Sequence, residues 1–270
     1  HRKYGKPNTR QPLGGFTLPF SIGVWQADAG AEPLLAVGRY CYYSFIKPDG
    51  SLDGVLAAQE YSINSLLDRG IDPNGDGKTE IYGLGRYNLT RVSGPADRRT
   101  DNGCPQVYRQ ENYRLPAYGG GIEGDRMLCF KVAGGSRLAV ARESFLAFFD
   151  TGSGKWLFTW AAPVSLTAVE QIGPREFLAA STDNVLRRLT FKPGFEGVEK
   201  FDSIPVRRKI RNIRHYNGKT YLTTADGLFE YRDGSLKLLF EGNCRDMAAN
   251  PDGKLLILSE NGELITCREK

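Results

Sequence analysis

Histidine is nearly missing from this chain: His1 and His215 are the only two in 270 residues. A Ser–His–Asp arrangement would have to use His215, and no G-x-S-x-G elbow accompanies it. Nucleophile-based chemistry therefore has little support, while paired-carboxylate chemistry stays open. Cysteine is sparse and scattered, at Cys41, Cys104, Cys129, Cys244 and Cys267. No C-x-x-C, haem-attachment or zinc spacing occurs. The odd count excludes complete internal pairing. Cys244 and Cys267, nearest in sequence, are the candidates for one disulfide, and buried free thiols are expected otherwise. Long apolar runs are also lacking. No segment approaches the roughly 20 residues of a membrane span, and no secretory h-region is present. The net charge of +5 is too modest to point to nucleic acid. The chain opens on His1 rather than Met, as a processed or truncated terminus would.

What the chain does hold is glycine and aromatics, 32 Gly and 11% Phe, Trp and Tyr. That is the composition of many short strands joined by tight turns. Internal similarity organises them. The segments 137–148, 176–189, 219–231 and 254–267 each read as an apolar strand, a short polar turn and a second strand. Their turns are Glu143-Ser144, Asp183-Asn184, Asp226-Gly227 and Asn261-Gly262. The last two predict type I′ hairpins, which need φ > 0 at both central residues. A strand precedes each hairpin, as at Leu166–Val169 and Asp246–Ala249, and another follows, as at Lys155–Trp160 and Leu236–Phe240. Four antiparallel strands recurring about every 35 to 45 residues make the blades of an all-β propeller.

The first half repeats in a different form, around the Gly-Arg-Tyr shared by Gly38–Tyr40 and Gly85–Tyr87. The expectation is a single propeller domain over 1–270, with about six four-stranded blades and seven as the alternative. The blades fall near 20–60, 61–118, 119–162, 163–205, 206–242 and 243–270 with 1–19. Residues 92–122 read as an insertion with few strand signals, and a loop of that length in a compact domain is usually functional or mobile. The last blade lacks a fourth strand, which Phe16–Phe20 would supply, closing the ring and hiding a sheet edge.

Two family resemblances follow. Ile71-Asp72-Pro73-Asn74-Gly75-Asp76-Gly77-Lys78-Thr79-Glu80-Ile81-Tyr82 resembles the calcium loop of FG-GAP/VCBS-type propeller repeats, as in integrin α-subunit heads. Phe148-Phe149-Asp150-Thr151-Gly152-Ser153-Gly154-Lys155-Trp156 is similar to the turn of the quinoprotein-like (PQQ-type) repeat, which implies a fold more than a cofactor.

The first segment also carries chemistry by its spacing. Asp72, Asn74, Asp76, the Lys78 carbonyl and Glu80 stand at positions one, three, five, seven and nine, an oxygen set suited to Ca²⁺. A second candidate is a ring of polar groups at one mouth of the channel. Aligned leading strands bring Arg211 and Asn212 level with Arg245 and Asp246, with Asn64 and Arg126 from other blades, which would favour an anionic ligand. In the insertion, Tyr108 and Tyr113 among several arginines read as a recognition surface. The functional expectation is a non-enzymatic, calcium-carrying binding or scaffold propeller, extracellular or periplasmic, that takes a protein or anionic saccharide through its loops. The alternatives are a polysaccharide lyase or hydrolase, or a quinoprotein-like enzyme, with substrate at the channel mouth. A third is a subunit of a repeating surface assembly, built through a sheet edge or the insertion.

Overall fold

Alternating apolar residues and glycine-rich turns fold into antiparallel sheets that succeed one another along the chain. A computed structural model describes residues 19–39, 42–57, 63–67, 70–94, 98–99, 105–106, 108–116, 127–132, 136–249 and 254–267. Among these there is no α-helix, and no helix is long and apolar enough to cross a membrane. The first sheet orders β1 (Pro19–Trp25), β2 (Leu34–Arg39), β3 (Tyr42–Ile46) and β4 (Leu52–Ala57) in sequence. The second contains β5 (Ile63–Leu66), β6 (Ile81–Gly85), β7 (Asn88–Ser93) and, beyond a two-stranded hairpin of β8 (Arg98–Arg99) and β9 (Pro105–Gln106), β10 (Arg109–Arg114). The third contains β11 (Met127–Val132), β12 (Arg137–Arg142), β13 (Phe145–Asp150) and β14 (Lys155–Ala161). The fourth contains β15 (Leu166–Gln171), β16 (Glu176–Ser181), β17 (Val185–Phe191) and β18 (Val198–Pro205). The fifth contains β19 (Ile210–Tyr216), β20 (Lys219–Thr224), β21 (Gly227–Arg232) and β22 (Ser235–Glu241). The sixth has three strands among the described residues, β23 (Cys244–Ala249), β24 (Leu255–Ser259) and β25 (Leu264–Cys267).

The chain divides into two compact units, His1–Val140 with Ala147–Trp156, and Ala141–Leu146 with Leu157–Lys270. In the first, Trp25, Tyr43 and Phe45 of the first sheet bury against Leu66, Ile81 and Val92 of the second. In the second, Leu178, Leu186 and Ala180 of the fourth sheet meet Ile213, Leu222 and Phe229 of the fifth. The opposite face of the fifth sheet sends Tyr221 and Leu228 against Met247, Leu255 and Ile257 of the sixth. Sheets covered on both faces explain the second strands, which are buried on both sides and read as apolar runs in β12 and β16, while β20 is buried in the same way with threonines. Outer strands such as β22 are mostly exposed, its Leu238 and Leu239 included. Each fully buried Leu or Phe contributes about 1.5–3 kcal/mol.

Several expectations change. Pro19 pairs with Arg39, so the described end of the Phe16–Phe20 segment begins β1 of the first sheet rather than joining the sixth; residues 16–18 lie outside the described residues. The apolar run continues to Trp25, whose burial holds the strand on β2. The 92–122 stretch is less irregular than expected, because Arg109–Arg114 pairs with Asn88–Ser93 as an outer strand. Cys244 and Cys267 are free thiols: Cys244 pairs opposite Ser259 and Cys267 opposite Leu255, on different sides and at different ends of β24. Cys41 and Cys104 lie outside the described residues.

The type I′ turns are also elsewhere. Both central residues have positive φ at Asn217-Gly218 and at Asp233-Gly234, the turns from β19 to β20 and from β21 to β22. At Asn261-Gly262 only the glycine does, and at Asp226-Gly227 neither. Thr224 bends that last turn instead, its Oγ1 accepting from the N–H of Asp226 and of Gly227, both at 3.1 Å. Gly227 is needed for closeness, not for φ: a Cβ there would collide with the Phe240 carbonyl and come 2.8 Å from Leu238 Cδ1.

Candidate functional site

The first candidate lies in the first unit, on the connection from β5 to β6. Its neck is closed by backbone bonds between Ile71 and Glu80, at 2.9 and 2.7 Å. Positive φ at Gly75 and Gly77 lets the loop fold back on itself. Asp72 Oδ1 accepts from Gly75 N (2.7 Å) and its Oδ2 from Gly77 N (2.9 Å). Asp76 Oδ1 accepts from Lys78 N (2.8 Å), and Asn74 Nδ2 donates to Asp76 Oδ2 (3.1 Å). Desolvation works to raise the Asp72 carboxyl, but the surrounding backbone N–H groups outweigh it and hold the group below its ordinary value. Lys78 makes an isolated bridge with Asp28.

Glu80 departs from the expected ligand set. It is buried, and its carboxylate is held by Arg91 through both Nη2 and Nε, with Tyr82 Oη at 3.5 Å. Burial presses on the Arg91 guanidinium, yet its bonds to Glu80 and Tyr113 dominate and raise its pKa. A Ca²⁺ ion requires six to eight oxygens. Asp72, Asn74, Asp76 and the Lys78 carbonyl fit that chemistry on one exposed loop; Glu80, neutralised by Arg91, does not. Among the described residues no three His, Cys, Asp or Glu side chains gather as a metal group.

The second candidate lies in the second unit, where β19 packs against β15 and β23. The pairing register skips one residue near the start of each of these strands: Thr167, Arg211 and Arg245. The same skip occurs at Asn64 in β5. Each is a β-bulge, which bends the strand and re-aims the side chain of the extra residue. Arg211 Nη1 reaches to Asn243 Oδ1 (2.5 Å), Glu260 Oε2 (2.6 Å) and the Cys244 carbonyl (3.3 Å), tying the fifth sheet to turns of the sixth. Asn212, buried, donates through Nδ2 to Asp246, which also accepts from Met247 N (2.7 Å) and Arg214 Nη2 (3.4 Å). Of the residues expected to stand level, Asn212 thus meets Asp246, while Arg211 is spent on Glu260. Asn64 sits on β5, with its side chain outside the description, and Arg126 lies outside the described residues altogether.

Partners of these groups had no spacing to announce them. Glu170 on β15 accepts from His215 N (3.1 Å) and stands 4.0 Å from Arg214. Burial pushes its carboxyl up, against the opposing pull of that N–H and of Arg214. Burial likewise pushes the His215 imidazole down, which leaves it a neutral partner for Thr220 Oγ1 at 2.9 Å.

Tyr108 and Tyr113 are not where a recognition surface needs them. Tyr108 is 4% exposed, with its ring 4.2 Å from Phe45 and 5.6 Å from Trp25 between centroids, and its hydroxyl donates to Asp53. Tyr113 lies tilted against Phe149, 4.7 Å between ring centroids, and donates to Glu111 (2.6 Å). The quinoprotein-like turn is structural in the same way: Asp150 Oδ1 accepts from Ser153 N (2.7 Å), and Trp156 Nε1 donates to the Arg114 carbonyl (2.8 Å).

No family model and no curated protein matches the sequence. Solved structures do resemble the fold. The β-propeller domain of Cps50 (Swd1) from Myceliophteria thermophila aligns with a TM-score of 0.62 at 13% identity, over 93% of this chain and 84% of that one. The Dos1 propeller aligns at 0.61 and 14%, over 87% of this chain and 64% of that one, so this chain spans under two-thirds of its length. A chain of the mitotic checkpoint complex aligns at 0.61 and 11%, over 91% of this chain and 73% of that one. At such identities the likeness shows the fold alone, that of a β-propeller, and singles out neither the calcium-loop nor the quinoprotein-like repeat.

Proposed function

We propose that this chain is a non-enzymatic propeller that binds a protein partner at the bulged end of β15, β19 and β23. The observation that carries this reading is the bulge itself, repeated at Thr167, Arg211 and Arg245. Three separate sheets place an extra residue at matched points, and bulges commonly mark functional sites where a side chain is re-aimed. Membership of the aligned chain in a mitotic checkpoint complex agrees with a partner-binding role for the fold. A photo-crosslinking residue at Arg245 should give one discrete adduct with a protein from the source organism. The same residue at Lys200, on the outer strand β18, should give none. Adducts at both positions in equal yield, or at neither, would overturn the reading.

The loop at 70–80 supports a second element of the proposal, a Ca²⁺ ion on Asp72, Asn74, Asp76 and the Lys78 carbonyl, with water in the remaining positions. The resemblance to the FG-GAP/VCBS loop and the oxygen-only donors favour it. An exposed site with two carboxylates would be weak, on the order of 10⁻⁴–10⁻³ M, which suits the calcium levels met by extracellular modules and is the physical ground for an extracellular or periplasmic location. Calorimetry should show one calcium site in that range that Asp72→Asn with Asp76→Asn removes. A flat titration would dismiss the metal.

A further inference from the structure

We infer that the partner's contribution at this end of the second unit is an acidic, extended peptide segment. At this end each sheet ties its turns to its own strand ends: Thr182 N to Ser165 O (2.9 Å), Val206 N to Asn184 O (3.1 Å), Gly242 N to Asp226 O (3.1 Å) and Glu260 N to Asn243 O (3.1 Å). Arg211 links the fifth sheet to the sixth through Asn243 and Glu260. Four acidic side chains at this end are already neutralised. Glu143 pairs with Arg142 (3.3 Å), Asp183 with Arg187 (2.5 Å), Asp226 with Arg208 (3.4 Å) and Glu260 with Arg211 (2.6 Å). Glu263, in the turn from β24 to β25, makes no ion pair among the described residues.

Three cations are left over. Arg207 and Lys209 flank Arg208 in the turn before β19, and Arg245 is the bulged residue of β23; all three are exposed and make no ion pair among the described residues. Arg208, between the first two, is held with its guanidinium 4.5 Å from the centroid of the Phe229 ring, so the turn is anchored rather than free to collapse. Arg207 has a φ of 52°, a conformation that side-chain-bearing residues seldom adopt and that persists where surrounding structure enforces it.

The chemistry of the ligand follows from this layout. The three cations come from two elements in two successive sheets rather than from one phosphate-cradling loop. Carboxylates spaced along an extended chain can meet them one by one, with the two arginines able to take each carboxylate in a two-pronged bond. Contacts of this kind are screened over roughly 8 Å at physiological ionic strength, so binding must weaken with salt.

This inference rests on the protein-binding reading above, and its test separates the two. The probe is a dye-labelled 12-residue peptide alternating Glu with Gly and Ser, followed by fluorescence anisotropy against its Gln counterpart. The Glu peptide should bind, the Gln peptide should not, and raising salt should weaken the complex. The triple variant Arg207→Ala, Lys209→Ala, Arg245→Ala should lose at least tenfold in affinity with an unchanged melting temperature, and the Arg207→Lys, Arg245→Lys variant should keep most of it. Equal binding of the Gln peptide, wild-type affinity in the triple variant, or tighter binding of a sulfated oligosaccharide of equal charge would each overturn the inference. Crosslinked adducts at position 245 together with no Glu-peptide binding would remove this inference and leave the protein-binding reading standing.

Discussion

Replacing Tyr108 by alanine should destabilise the protein by about 3–5 kcal/mol, the range for deleting a large buried aromatic side chain. The ring lies between two glycines: a Cβ on Gly54 or on Gly94 would come 2.9 Å from its carbons. Both backbones approach closely because those positions carry no side chain, so nothing nearby can relax into the space the ring leaves. Trp25 and Phe45 would each lose their aromatic neighbour. The hydroxyl is a separate and smaller part. Tyr108 donates to Asp53, whose other oxygen is 3.4 Å from Lys47, so Tyr108→Phe should cost only about 1 kcal/mol. Urea denaturation of the two variants measures both parts. A Tyr108→Ala protein within about 0.5 kcal/mol of wild type, as surface positions are, would mean that the ring is not packed in this way.

Glu80→Ala should cost about 3 kcal/mol, because it leaves the Arg91 guanidinium as a poorly solvated, unpaired charge. The Glu80 and Arg91 side chains are only 11% and 22% exposed, so water cannot fully replace the lost carboxylate. The remaining carboxylate near Arg91 is that of Glu111, 3.6 Å away and 60% exposed, too well solvated to compensate. Arg91→Ala should be comparably harmful, and the double variant less than additive, with a coupling of about 1–3 kcal/mol. The stability loss should be the same with and without calcium. A loss that appears only in calcium would instead make Glu80 a ligand, as its spacing alone had suggested.

Much of the architecture could be read before any coordinates. Apolar strand, polar turn and second strand recur at 137–148, 176–189, 219–231 and 254–267, and the hairpins formed there are β12–β13, β16–β17, β20–β21 and β24–β25. The bulges, too, had a signature. In Ile210-Arg211-Asn212-Ile213 and Cys244-Arg245-Asp246-Met247, apolar residues stand three apart with two polar residues between. A flat strand would space them two apart, so the extra residue is written into the apolar period. Ile63-Asn64-Ser65-Leu66 has the same form.

What the sequence by itself determined was therefore local: strand periodicity, the positions of turns, and the loop chemistry of Asp72, Asn74 and Asp76. These depend on neighbours a few residues away along the chain. What only the tertiary structure decided was which side chain meets which. The Glu80–Arg91 pair joins facing strands of one sheet, Tyr108 enters the core between glycines 40 residues apart in the chain, and Glu260 claims Arg211 from the next sheet. Even the Asp226-Gly227 turn obeyed packing before propensity, since Gly227 was selected by the approach of Phe240 and not by its own φ. Such pairings depend on contacts between residues distant in sequence, and spacing along the chain carries no record of them.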